Sequence, residues 1–188
     1  YENDGAATWT PAFTAADINI SANVARDLHI ADMDGDGDLD IVSASSGDNT
    51  IAWYENDGAA NPSWTAADIS TTADGARNVF VADIDSDGDL DIVSASHDDD
   101  TIAWYENDGN SDPSFTKNVI STSADGARGV HIADIDSDGD LDIVSASRID
   151  NKIAWYENDG AANPSWSTTT IATSAAGARD IHIADIDN

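Results

Sequence analysis

Five aspartates alternate with other residues inside a nine-residue stretch at three places in this chain: Asp32, Asp34, Asp36, Asp38 and Asp40; Asp83, Asp85, Asp87, Asp89 and Asp91; Asp134, Asp136, Asp138, Asp140 and Asp142. Asp185 and Asp187 open a fourth such stretch. Carboxylates at that density repel one another unless a cation sits among them. A glycine at the sixth position (Gly37, Gly88, Gly139) lets the backbone turn sharply. Alternating carboxylates on a flexible turn form an oxygen cage for a hard divalent ion, and Ca²⁺ accepts the irregular, high-coordination geometry such a loop offers. Cysteine is absent and no histidine is interleaved, so zinc and copper are poor candidates. All seventeen aspartates are therefore candidate metal ligands.

The elements that must hold these loops can be read on either side. An EF-hand needs a glutamate at its twelfth position and flanking helices, but here the twelfth positions are Ser43, Ser94 and Ser145. The ninth aspartate is thus expected to close the cage. Each loop is followed by Leu-Asp-Ile-Val-Ser-Ala-Ser and preceded by short β-branched runs such as Val130-His131-Ile132. Both read as strands, so the ion is expected to pin a strand-loop-strand hairpin.

The loops recur every 51 residues, at Asp32, Asp83, Asp134 and Asp185, and so do Pro11, Pro62, Pro113 and Pro164, and Arg26, Arg77, Arg128 and Arg179. A period near fifty with no helical pattern points to propeller blades or a related β array. One unit parses into strand A (Asn78 to Ala82), the ion loop, strand B (Asp91 to Ser96), a turn at His97 to Asp100, strand C (Thr101 to Glu106), a turn at Asn107-Asp108-Gly109, and strand D (Ser114 to Ser121). The fold class is all-β: four-stranded antiparallel blades of a β-propeller. Complete blades are expected at about 23–73, 74–124 and 125–175, with a blade remnant over 1–22 and a partial blade over 176–188. Four blades of this period would need about 204 residues, so the chain is expected to be a partial propeller belonging to a longer chain.

The string Ala-Asp-Ile-Asp-Ser-Asp-Gly-Asp-Leu-Asp-Ile-Val resembles the FG-GAP/VCBS type of repeat, found in the propeller heads of integrin α chains and in secreted bacterial proteins and lectins. The resemblance implies side-chain ligation by the first, third, fifth and ninth loop residues and main-chain ligation by the seventh, here Asp38, Asp89 and Asp140. No Phe-Gly or Gly-Ala-Pro is present; Gly-Ala-Arg stands where the latter would fall. Roles tied to those motifs do not carry over.

The net charge of −30 arises from 37 acidic and 7 basic residues. Three bound dications would leave about −24, so neither nucleic acid nor an anionic membrane is an expected partner. No apolar run approaches a membrane span. Calcium loops of extracellular modules bind at about 10⁻⁴ to 10⁻³ M and would stand empty in a cytosol, which favours an exported protein, secreted or at the cell surface.

Other recurring residues read as packing. His29, His131 and His182 share a repeat position with Phe80, and Trp53, Trp104 and Trp155 fall once per unit. His97 and the acids Asp98, Asp99 and Asp100 are expected to face solvent, and the repeated arginines to pair with carboxylates. Trp9, outside the repeat pattern, is the candidate exposed aromatic. Nothing resembles a nucleophile-base pair, so no enzymatic activity is expected. The sequence favours a calcium-stabilised extracellular binding or adhesion scaffold with a protein or glycan ligand. Self-assembly into a filament or surface layer is the alternative, ahead of a carbohydrate-binding lectin or a polysaccharide-active enzyme.

Overall fold

The computed structural model describes residues 2–3, 13–14 and 17–186, with side chains placed for 17–186. Trp9 and Asp187 lie outside the described residues. Among the described residues every regular element is a strand. A short pair, β1 (Glu2–Asn3) and β2 (Phe13–Thr14), precedes three four-stranded antiparallel sheets. These are β3 (Ala25–Ala31), β4 (Asp40–Ser45), β5 (Thr50–Asn56) and β6 (Trp64–Ser70); β7 (Ala76–Ala82), β8 (Asp91–Ser96), β9 (Thr101–Asn107) and β10 (Phe115–Ser121); and β11 (Ala127–Ala133), β12 (Asp142–Ser147), β13 (Lys152–Asn158) and β14 (Trp166–Ala172). Within each sheet the strands lie side by side in chain order. Strand A begins two residues earlier than the sequence suggests, because a β-bulge admits Ala76 to the ladder ahead of Asn78.

Both faces of every sheet are apolar, and this dictates stacking. Ile92 pairs with Tyr105 on one face and Val93 with Trp104 on the other, and the other two sheets repeat the pattern. A sheet with two greasy faces must be covered twice. Trp53, Val42 and Met33 of the first sheet pack against Val79, Val81, Ile92 and Tyr105 of the second. Trp104, Val93 and Ile84 pack in the same way on Val130, Ile132, Ile143 and Tyr156 of the third. Among the described residues no complete sheet precedes the first, and Leu28 and Ile30 are 57% and 54% exposed where their counterparts Val79 and Val81 are 2% and 7%.

The A strands stand next to one another along a common axis. Asp27 accepts a hydrogen bond from the backbone N–H of Val79 (3.1 Å) and from the side chain of Asn78; Asn78 Oδ1 in turn accepts from Val130 N–H (2.7 Å). Gly129 occupies the next position, where a Cβ would come within 3.0 Å of the Asp180 Cα, so the two backbones meet there. Rings follow the same column: His29 to Phe80 at 4.9 Å between centroids, Phe80 to His131 and His131 to His182 at 4.8 Å each. Burial holds the pKa of His29 and His131 below the ordinary histidine value, so both are neutral packing groups at pH 7.

Two sequence expectations fail here. His97 is not free in solvent: its Nδ1 lies 2.6 Å from Asp98 Oδ1, while Asp100 Oδ1 accepts the Gly126 N–H (2.8 Å) and ties the B–C turn to the chain entering the next blade. Nor do the repeated arginines pair with acids. Among the described residues the ion pairs are His97–Asp98 and Lys152–Asp150, and no arginine takes part. Arg26, Arg77, Arg128 and Arg179 instead line a common cavity.

Candidate metal centre

Each Asp-rich loop joins strand A to strand B of its sheet, and its backbone is organised by its own side chains. Gly37 N–H donates to Asp32 Oδ2 (2.9 Å), Asp36 N–H to Asp34 Oδ1 (3.1 Å) and Asp38 N–H to Asp36 Oδ1 (2.8 Å). In the second loop Asp87 and Gly88 both donate to Asp83 (3.1 Å each) and Asp89 to Asp87 (3.0 Å); the third repeats these contacts at Asp134 and Asp138. The sixth-position glycines take φ of +96°, +104° and +104°, a conformation that other residues rarely adopt.

This folding brings the first, third and fifth carboxylates together. One oxygen from each of Asp32, Asp34 and Asp36 lies within 4.8 Å of the others, and the triads Asp83, Asp85, Asp87 and Asp134, Asp136, Asp138 do the same. Asp32 Oδ1 and Asp85 Oδ1 are buried with no hydrogen-bond partner. A buried, unpartnered carboxylate oxygen facing two more carboxylates suits a hard divalent cation, and these are the residues that would hold one.

The ninth aspartate has a second duty. Asp40, Asp91 and Asp142 are each about 1% exposed. Asp91 accepts the N–H of Ile84 at Oδ2 (3.1 Å) and the N–H of Asn107 at Oδ1 (2.8 Å), and Asp40 and Asp142 make the equivalent pairs. It thereby locks the loop's second residue to the end of strand C. Each oxygen keeps a lone pair that can face an ion. The seventh aspartates point elsewhere: a Cβ on Gly58, Gly109 or Gly160 would come within 2.1 Å of the Oδ2 of Asp38, Asp89 or Asp140. Their side chains cover the C–D turn and do not join the triads. Asp185 belongs to no triad among the described residues.

Sequence reading missed the residues that connect the loops to neighbouring blades. Asn107 Nδ2 donates to Leu90 O in its own blade (3.0 Å) and to Met33 O in the preceding blade's loop (3.1 Å); Asn158 does the same to Leu141 O and Ile84 O (3.1 Å each). The second loop residue is also an apolar plug. Met33 and Ile84 are 2% and 1% exposed in the inter-sheet cores, whereas their counterpart Ile135 is 37% exposed. The available signal was a polar residue recurring every 51 positions at the end of strand C. Asn158→Ala leaves two carbonyls in buried surroundings without their donor, at about 1–3 kcal/mol in all. Its melting temperature is expected to fall by several degrees, and calcium affinity at the Asp83–Asp91 loop to weaken, read by calorimetry.

The electrostatics carry a sign. Burial, ahead of all other causes, raises the Asp91 pKa to about 7, and the nearby Asp85 charge adds to it. Burial followed by neighbouring carboxylates raises Asp85 and Asp136, and burial with the charges of Asp36, Asp40 and Asp32 raises Asp34. A carboxyl whose folded pKa exceeds its unfolded value stabilises the fold when protonated, and that contribution is lost as pH rises from about 4 to about 7. Asp57, Asp108 and Asp159, depressed by backbone and serine hydrogen bonds, titrate below that window. In EDTA the melting temperature is thus expected to fall between pH 5 and 7. With millimolar Ca²⁺ it is expected to rise over the same range, because protons then compete with the ion. Parallel slopes under both conditions would contradict this assignment.

Fold and site together define a class: a repeat protein of four-stranded antiparallel sheets, each with an Asp-rich loop between its first two strands whose carboxylates could hold a cation. Residues 32–94, 83–145 and 134–188 each match the FG-GAP-like repeat, and the chain belongs to that family. No curated protein matches it significantly. No helix among the described residues is long and apolar enough to cross a membrane.

Proposed function

We propose that this chain is a calcium-stabilised extracellular scaffold for binding or adhesion, in which Ca²⁺ serves structure rather than chemistry. The observation that carries the reading is the coupling of each triad to its neighbour: the loop that would hold the ion also supplies Met33 or Ile84 to the inter-sheet core and a carbonyl to the next blade's asparagine. An ion in that loop therefore fixes both a hairpin and a blade interface. FG-GAP-like repeats are typically found in extracellular proteins, where millimolar calcium would fill sites of this kind. A rigid stack of sheets presents its loops as a platform for a protein or glycan ligand.

The test is binding of the calcium-loaded chain to arrays of extracellular glycans and to cell surfaces, with and without EDTA. Retention that disappears on chelation supports the scaffold; the absence of retention on any surface removes it. The alternative is self-assembly into a filament or surface layer. Light scattering that grows with chain concentration in calcium would support it.

A further inference from the structure

At the end of the A strands away from the calcium loops, Arg26, Arg77, Arg128 and Arg179 line one open cavity of about 180 Å³. Arg77 and Asp83 are six positions apart along the strand, so the two ends stand roughly 20 Å apart. Each of Arg26, Arg77 and Arg128 is the extra residue of the β-bulge that opens its strand, a device that re-aims a side chain. The turn before it is anchored: Gly75, Gly126 and Gly177 donate their N–H groups to Asn49, Asp100 and Asn151 at 3.0, 2.8 and 2.9 Å. The arginines are held in place by the fold and are not tethered loosely at the surface.

No ion pair among the described residues neutralises the cluster. Four of the seven basic residues of a chain with net charge −30 line this cavity, and the charge of Arg148 is felt by Arg77 and Arg128 as well. No carboxylate forms an ion pair with them among the described residues, and the nearest acid felt by Arg77 is Asp98. Arg77 Nε and Arg128 Nε are buried with no hydrogen-bond partner, and Arg26 Nε is satisfied by Ser46 Oγ (2.8 Å). Packing like charges together while acids abound elsewhere, with N–H donors left unused, is costly unless an anion completes the site.

We propose that the axial arginine cavity is a binding site for one compact oxyanion, a sulfate or phosphate group, whether free or carried as an ester on a small molecule. Converging guanidinium forks match the tetrahedral oxygens of such a group. The strongly acidic remainder of the chain repels an extended polyanion, so the occupant is a single group and not a charged polymer. This site stands independently of the calcium reading and on the opposite face.

The experiment is calorimetry of inorganic sulfate against the calcium-loaded protein in low-chloride buffer, with Arg77→Gln and Arg128→Gln variants and with calcium titration as the folding control. The expected result is one sulfate per chain, at least tenfold weaker in either variant, with calcium binding unaltered. A sulfated monosaccharide and a phosphate monoester, run in parallel, tell a free anion from an ester: tighter binding of one ester assigns the carried group, and equal binding assigns the free anion. Melting gives a second readout. Without oxyanion, Arg128→Gln is expected to raise the melting temperature by relieving repulsion, and sulfate is expected to stabilise only the parent chain. No heat of binding up to 20 mM sulfate, undiminished binding in both variants, or a lowered melting temperature for Arg128→Gln in anion-free buffer would each overturn the proposal.

Discussion

Stripping calcium with EDTA is expected to lower the melting temperature by about 15–30 °C. For a site with a dissociation constant of about 10⁻⁴ M at about 10 mM free ion, mass action gives roughly 2.7 kcal/mol, or about 8 kcal/mol over three independent loops. Net domain stability is about 5–15 kcal/mol, and for a chain of this size 1 kcal/mol shifts the midpoint by about 2–4 °C. The effect should exceed simple ligand loss in one respect. Because Met33 and Ile84 extend from the loops into the inter-sheet cores, opening a loop also loosens the contact between successive blades. Hydrogen exchange in EDTA is expected to rise first in β7 and β11, the strands against which the previous blade's loop packs. A transition unmoved by chelation would remove calcium from any structural role.

Replacing the ninth aspartate is expected to cost far more than replacing the fifth. In Asp91→Ala the N–H groups of Ile84 and Asn107 lose their shared acceptor, and two buried unsatisfied donors cost about 2–6 kcal/mol. The variant is expected to melt at least about 4 °C lower even in EDTA and to bind two calcium ions instead of three. Asp87→Ala removes an exposed triad carboxylate that accepts only the Asp89 N–H. In EDTA it is expected to melt within about 2 °C of the parent, while also binding two ions. Calorimetry with melting in both buffers separates the roles. Equal losses in EDTA for the two variants would show that the ninth carboxylate does not brace the blade.

The two outcomes depend on residues that differ in how visible they are in the sequence. Alternating aspartates around a glycine announce a cation loop because the chemistry is local: each oxygen is within a few residues of the next, and the turn's own backbone brings them together. The strands were equally legible, since Ile-Val and Trp-Tyr pairs on adjacent strands alternate with the period of a pleated ladder. Packing between sheets was signalled by one tryptophan per repeat, Trp53, Trp104 and Trp155, at a fixed strand position. The ninth aspartate's brace was not legible, because its two donors lie seven residues back and sixteen ahead, on different elements.

Thus the chain's order of residues determined the repeat, the four-stranded unit, the position of each acidic loop and the suitability of those loops for a hard cation. Tertiary structure alone decided that only the first, third and fifth carboxylates form a triad, that Asn107 reaches Met33 across 74 residues, and that four arginines spaced for pairing with acids meet one another on the axis instead. The physical reason is range. Side-chain alternation and turn chemistry act over a few residues, whereas contacts between units 51 residues apart depend on the angle and offset at which one twisted sheet settles on the next, and packing sets those only once the sheets exist.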